Sequence, residues 1–316
     1  MIKKTLYLVI PCYNEEEVLH ETAERLRVKM EGLKAAEVIA GDSRIMFVND
    51  GSKDRTWNII RELHEKDSLF CGVNLSRNRG HQNALLAGLM TAKEKADIVI
   101  SMDADLQDDI HAIDEFIRKN YEGYDIIYGV RNGRDSDTFF KRNTALAFYK
   151  LQNVLGVNAV YNHADYRLMS RRALEALEDF KEVNLFLRGI VPLIGFRSAN
   201  IYYERNERFA GESKYPLKKM LAFALDGITS FSIKPIRLIT MAGLLVFLVS
   251  VIVILYSIIR KVTGHTVSSS TFLSCSIWFL GGVQLLGIGI IGEYVGKIYG
   301  EVKGRPRYII ESILED

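Results

Sequence analysis

Cysteine is scarce: Cys12, Cys71 and Cys275 are three in number, far apart and without metal-like spacing. That argues against a disulfide scaffold or a zinc site and suits a reducing compartment. Five prolines in 316 residues exclude a proline-rich linker protein. Excess charge of one sign is missing too, since 41 Lys+Arg against 39 Asp+Glu leave a net +2. Nothing forces a broad basic face, so no nucleic-acid partner is expected. With 48% hydrophobic and 25% charged residues, the chain is not disordered either.

Two stretches lack charge altogether. Leu238–Ile259 and Thr271–Gly292 each run 22 residues without a formal charge, separated by residues 260–270. At about 1.5 Å rise per residue each reaches roughly 33 Å, enough for a hydrocarbon core of about 30 Å. The pair predicts a membrane hairpin. Lys218, Lys219, Lys234 and Arg237 precede it, and Lys297, Lys303, Arg305 and Arg307 follow it, whereas the intervening loop carries only Arg260 and Lys261. The positive-inside rule then places both ends in the cytosol and the short loop outside. The apolar stretch near the N-terminus is too short for a signal peptide. The expected organisation is a cytosolic domain over 1–210, a connecting segment 211–237, spans 238–259 and 271–292 around an external loop 260–270, and a cytosolic tail 293–316. That organisation predicts a protein of the inner (plasma) membrane with the lipid bilayer as a partner.

Within residues 1–210 two periodicities alternate. Short apolar runs at Leu6–Ile10, Ile45–Asn49, Gly72–Leu75, Ile98–Met102 and Ile126–Val130 predict buried strands. Amphipathic stretches at Glu15–Leu33, Thr56–Lys66, Asn83–Lys95 and Ile110–Tyr121 predict helices between them. The repeat predicts an α/β fold with a mostly parallel sheet covered on both faces. In such sheets ligands bind beyond the C-terminal strand ends.

Polar clusters follow those ends: Pro11-Cys12-Tyr13-Asn14-Glu15-Glu16, Asn49-Asp50-Gly51-Ser52, Ser76-Arg77-Asn78-Arg79-Gly80 and Asp103-Ala104-Asp105-Leu106-Gln107-Asp108-Asp109. For Asp54 and Asp109, helix capping is a sufficient account. Asp103 and Asp105 are different, because closely spaced carboxylates repel unless a cation or hydrogen-bond donors offset them. Hard oxygen ligands of this type suit Mg2+ or Mn2+, bound through one or two carboxylates plus substrate phosphates.

The strand-terminal Pro-Cys-Tyr-Asn-Glu, the Asn-Asp-Gly-Ser and the Asp-Ala-Asp resemble the inverting nucleotide-sugar glycosyltransferases of the large family 2, whose fold is called GT-A. Asp165-Tyr166-Arg167-Leu168, Gly211-Glu212-Ser213-Lys214 and the two spans narrow the resemblance to polyprenyl-phosphate glycosyltransferases, meaning bactoprenol glucosyltransferases and dolichol-phosphate mannose synthases. It covers nearly the whole chain. The resemblance implies that Pro11, Tyr13, Glu15 and Asp50 frame the base and ribose of the donor. It implies that Asp103, Ala104 and Asp105 hold the donor through the metal, with Gln107 as a further ligand. Arg131 and Arg142 would face phosphate, and Arg208, Ser213 and Lys214 would close over the diphosphate. For Arg142 and Arg208 a solvated or membrane-facing charge is the competing reading.

The chemistry can be argued without the family. A departing nucleoside diphosphate leaves negative charge that a divalent cation and Arg or Lys stabilise more in the transition state than in the ground state. A sugar hydroxyl acceptor also needs a carboxylate base, but a lipid monophosphate, with a second pKa near 6, is already largely ionised. Asp165 is therefore read as a carboxylate that positions acceptor or sugar, not an obligatory base; an ion pair to Arg167 or Arg171 is the competing reading. Tyr215–Arg237 mixes aromatic, aliphatic and cationic residues as an interfacial segment does, with Lys218 and Lys219 near lipid phosphate. The expected reaction is transfer of one hexose, glucose from UDP-glucose first, to undecaprenyl-type polyprenyl phosphate. GDP-mannose or an amino-sugar donor is the alternative, and a sugar-nucleotide sensor or scaffold without turnover is the reading from another class.

Some motifs are decoys. Gly287-Ile288-Gly289-Ile290-Ile291-Gly292 matches a dinucleotide fingerprint but has no preceding strand. Gly292, Gly296 and Gly300 permit close helix contact, which suits hairpin packing or a homo-oligomer. Asp103–Asp114 lacks the glycine and final glutamate of a calcium loop.

Overall fold

The computed structural model describes residues 3–131, 163–183, 185–204 and 270–315, with nine positions between 236 and 259. The expected strands appear as β1 (Leu6–Cys12), β2 (Arg44–Asn49), β3 (Phe70–Leu75), β4 (Ile98–Ser101) and β5 (Ile126–Arg131). They carry near-continuous apolar runs because layers cover both faces; every residue of β1, β3 and β4 is buried. The intervening helices are α1 (Leu19–Ala35), α2 (Thr56–Lys66), α3 (His81–Ala92) and α4 (Ala112–Tyr121). α3 lies hard against the sheet at Gly88, where a Cβ would come within 2.5 Å of Val9 and 2.6 Å of Val48.

With β6 (His163–Ser170), β7 (Ser198–Tyr203) and β8 (Ile310–Leu314), the sheet order is β7-β5-β6-β4-β1-β2-β3-β8. β1 pairs in parallel with β2 and β4, and β2 with β3, which gives the expected parallel arrangement in this half. The strand order reverses between β1 and β4, and a crevice opens at the strand ends of such a switch point. Three strands lie beyond the periodic pattern. β6 (His163–Ser170) runs antiparallel between β4 and β5, and β7 (Ser198–Tyr203) pairs in parallel with β5. Between them lie α5 (Arg171–Glu178) and the four-residue α6 (Leu187–Ile190). The Ser170 hydroxyl caps α5 by accepting from the Ala173 N–H at 3.2 Å. Phe116, Tyr166 and Tyr203 meet edge to face, with centroids 4.7 and 5.3 Å apart, and anchor this half of the core.

The second compact unit is represented by α7, a helix from Ser270 to Val302. Its 33 residues reach about 50 Å, so it continues beyond the expected span 271–292. Phe279–Val302 is long and apolar enough to cross a membrane, and it is the only such helix among the described residues. Every described position from 236 to 259 is helical, but the structure by itself supports one span of the expected two. Ile277, Leu285 and Ile288 on α7 are 61, 71 and 65% exposed, the reverse of a buried soluble helix.

From Arg305 the chain belongs again to the first unit. Ile310–Leu314 forms β8, antiparallel to β3, so the expected tail 293–316 holds a helix end and a strand. Asn74 pairs with Ser312 and Leu75 with Ile310, which leaves Glu311 as the extra residue of a β-bulge.

Candidate functional site

The loops after β1 and β2 interlock through their backbones. Asn14, at φ 54°, donates its N–H to the Ser52 hydroxyl at 3.0 Å, and its side-chain oxygen accepts from the Lys53 N–H at 2.9 Å. The Glu15 N–H donates to Thr56 Oγ1, and Glu16 accepts from the Arg55 N–H. Gly51 is required here: its φ is +62°, and a Cβ would lie 2.5 Å from the Asn78 nitrogen. Pro11 is buried on β1 while Tyr13 is 42% exposed at the rim. Asp50 is buried, and its two oxygens accept from the N–H groups of Arg79 and Gly80 at 2.7 and 2.9 Å. Burial raises its pKa while those donors lower it. What the structure shows Asp50 doing is holding the turn that opens α3.

After β4 the chain carries Asp103, Ala104 and Asp105 past Leu106, which takes a left-handed φ of 57°. Asp105 accepts from the Gln107 N–H at 3.2 Å, and the Ala104 carbonyl accepts from the Thr22 hydroxyl at 2.8 Å, tying the loop to α1. Asp103 is pushed up to about 6, first by burial; His81 opposes the rise, and the charges of Asp108, Asp165 and Asp105 add to it. His81 offsets only part of this crowding of hard oxygen donors, and a divalent cation fits the remainder.

Asp165, on β6, is enclosed by cations. Its Oδ1 accepts from Arg167 Nη2 at 2.6 Å and Arg188 Nε at 3.3 Å, and its Oδ2 accepts from Arg188 Nη2 at 3.2 Å. His81 Nε2 lies 3.6 Å from both Asp165 Oδ2 and Asp103 Oδ1. Burial alone would raise the Asp165 carboxyl, but Arg188, the nearby His81 and Arg167 outweigh it and hold it well below the usual range. Those carboxylates in turn raise His81 against its burial. Of the two partners expected for Asp165, Arg167 is the observed one; Arg171 bonds the Ala96 carbonyl and lies 3.5 Å from Asp97.

Arg131 ends β5 with its Nη2 3.2 Å from Asp108 Oδ1 and its Nε 3.2 Å from the Tyr203 hydroxyl. Tyr203 donates to the same Asp108 oxygen at 2.6 Å. Arg131 is thus aimed by two residues, Asp108 and Tyr203, that sequence reading did not single out. It also missed His81 and Arg188. His81 had a local signal, following Gly80 in the cluster after β3; Arg188, on four-residue α6, had none. Arg142, Arg208, Ser213, Lys214, Lys218 and Lys219 lie outside the described residues.

Residues 7–178 match the family Glycosyl transferase family 2, a stretch that includes β1 from Tyr7 onward, both acids of the Asp-Ala-Asp and Asp165. The chain is a family 2 glycosyltransferase. Residues 234–298 of the glycosyltransferase match a second family, the GtrB C-terminal hairpin, over the region expected to hold two spans. It is 56% identical to an uncharacterized glycosyltransferase, YkoT, of Bacillus subtilis (strain 168), over 97% of this chain and 91% of that one. It is 42% identical to the bactoprenol glucosyl transferase of Shigella phage SfX, over 96% of this chain and 98% of the other. A solved glucosyl-3-phosphoglycerate synthase from Mycobacterium tuberculosis, in complex with Mn2+, UDP and phosphoglyceric acid, is 16% identical with a TM-score of 0.45, over 72% of this chain and 76% of that chain. That likeness is too distant for residue-level comparison.

Proposed function

We propose that this glycosyltransferase moves a single hexose, glucose from UDP-glucose, onto a polyprenyl monophosphate at the cytosolic face of a membrane, with inversion at the anomeric carbon. The observation that carries the reading is the state of Asp165. A general base must be able to take a proton near the working pH. A carboxylate bonded to Arg167 and Arg188 and facing His81 is held ionised and blocked, so it takes none. An enzyme that does not use Asp165 as a base suits an acceptor that arrives ionised. A phosphate monoester does, and a sugar hydroxyl does not. The full-length likeness to bactoprenol glucosyl transferase supports the same acceptor class and the glucosyl group. The exposed apolar surface of α7 supports a bilayer as its solvent.

Asp103, Asp105 and Gln107 are the residues that would hold Mg2+ or Mn2+. The chemistry a divalent cation would supply there is positive charge against the departing diphosphate. The chain's own residues do the rest. Pro11, Tyr13, Glu15 and the Asp50 turn form the edge of the cleft for base and ribose. Arg131, aimed by Asp108 and Tyr203, supplies fixed positive charge, which in a preorganised site costs no rearrangement when charge develops. Asp165 holds Arg188 and faces His81, which itself lies beside Asp103, and an anionic acceptor there meets positive charge. Arg142, Arg208, Ser213 and Lys214, with Lys218 and Lys219 near the lipid headgroup, complete the reading from sequence. The assay is purified enzyme with Mn2+ or Mg2+, labelled UDP-glucose and undecaprenyl phosphate. Labelled lipid is the expected product. Nucleotide binding without product from UDP-glucose, GDP-mannose or amino-sugar donors would favour a sensor instead.

A further inference from the structure

β8 reaches the catalytic loops through a directed chain of hydrogen bonds. Asn74 on β3 donates its side-chain amide to Glu311 Oε2 at 2.8 Å. Asn49, at the end of β2, donates its amide to Asn74 Oδ1 at 2.7 Å, and the Ser52 N–H donates to Asn49 Oδ1 at 3.3 Å. Asn49 and Asn74 are 3 and 9% exposed, so water does not substitute readily for a missing partner. Ser52 in turn holds Asn14 in the loop after β1. The bulge gives this arrangement an independent cause. A bulge re-aims a side chain, and the extra residue in the β3–β8 register is Glu311 itself.

We infer that Glu311 is a positioning residue for the donor-binding loop, acting through Asn74 and Asn49 on the Ser52 N–H. The physical basis is polarity. An asparagine amide can point either way, but a carboxylate only accepts. Glu311 therefore turns the Asn74 NH2 toward itself, which leaves the Asn74 oxygen facing Asn49. That turns the Asn49 NH2 away from the loop and leaves its oxygen to receive Ser52. One negative charge on the C-terminal strand thus orients two buried amides in series and fixes the Asn49–Lys53 turn. The inference rests on the proposal that this turn borders the donor.

The test uses the full-length enzyme with Glu311→Gln, Glu311→Ala and Glu311→Lys. Gln keeps an oxygen for Asn74, Ala removes the acceptor, and Lys, which only donates, reverses both amides so that the Asn49 NH2 meets the Ser52 N–H. Glu311 is an exposed residue, and melting temperatures check that each variant folds. Hydrogen exchange of the peptide containing Ser52 is expected to quicken in the order Gln, Ala, Lys, with Gln near wild type. For UDP-glucose, KM is expected to rise about fivefold in Glu311→Ala, the worth of about one hydrogen bond, and further in Glu311→Lys, with kcat within about twofold. Equal exchange in Glu311→Lys and wild type would overturn the relay. So would a fall in kcat at unchanged KM. If the wild type turns over no UDP-glucose, the functional proposal fails, while the exchange experiment still judges the relay.

Discussion

Replacing Asp165 by Asn removes one negative charge and turns one oxygen into an NH2. Both oxygens are in use: Oδ1 by Arg167 and Arg188, Oδ2 by Arg188 with His81 nearby. Whichever way the new amide points, a donor faces a donor. Arg167, only 1% exposed, loses its counter-ion, and its Nε already has no partner. Breaking one side of a buried pair costs about 3–5 kcal/mol. At roughly 2–4 °C per kcal/mol for a domain of this size, even the low end lowers Tm by about 6–12 °C. Differential scanning fluorimetry in detergent reads that shift, and single-turnover assays on folded protein read the chemistry. Because the Asp165 pKa is lowered, its stabilisation is complete above the unfolded value of about 3.9 and is lost only as pH falls through the lower folded value. No activity limb between pH 6 and 8 belongs to it. Replacing both partners, as Asp165→Leu with Arg167→Met, is expected to recover much of the Tm but not the activity, since Arg188 and His81 stay unanchored. The reasoning is refuted if Asp165→Asn melts like wild type, loses a roughly 100- to 10,000-fold rate factor and drops a pH-dependent limb, the signature of a general base.

Asp105→Ala is expected to abolish turnover with either metal while leaving the melting temperature near wild type, and near-normal rates would reject Asp105 as a metal ligand. Tyr203→Phe removes the 2.6 Å donor to buried Asp108, so stability should fall by about 1–3 kcal/mol in a denaturant titration. Its kcat should also fall as Arg131 loses its Tyr203 contact; an unchanged kcat would mean that Arg131 needs no such alignment. A cysteine at Gly264 is expected to react with a membrane-impermeant thiol reagent added outside intact cells, and labelling only after lysis would invert the proposed topology.

Five strands and four helices were legible because their residues obey the layering rule: apolar runs where both faces are covered, helical spacing where one face is. β6 was not, because its buried positions include Asp165 and Arg167, which satisfy each other instead of reading as apolar. β8 follows a long apolar helix, and its bulge at Glu311 breaks the alternation. In the site, the acids after β4 were legible from their spacing, since repulsion at short range needs a cause. Around Asp165 only Arg167, two residues along the same strand, was expected; His81 and Arg188 were not, because they come from the distant helices α3 and α6. Asp50 shows the opposite limit. It was expected to frame the donor, and in the structure both of its oxygens serve the backbone of the next loop.

β8 has a practical corollary. Cutting the chain before its apolar helices would strip the partner from Phe70–Leu75 and bare a row of unsatisfied amides and carbonyls on a flat, greasy ribbon. Such ribbons recruit one another, so a soluble truncation of this enzyme is expected to aggregate. Splicing residues 305–316 back onto the shortened protein through a flexible linker should restore a monodisperse sample.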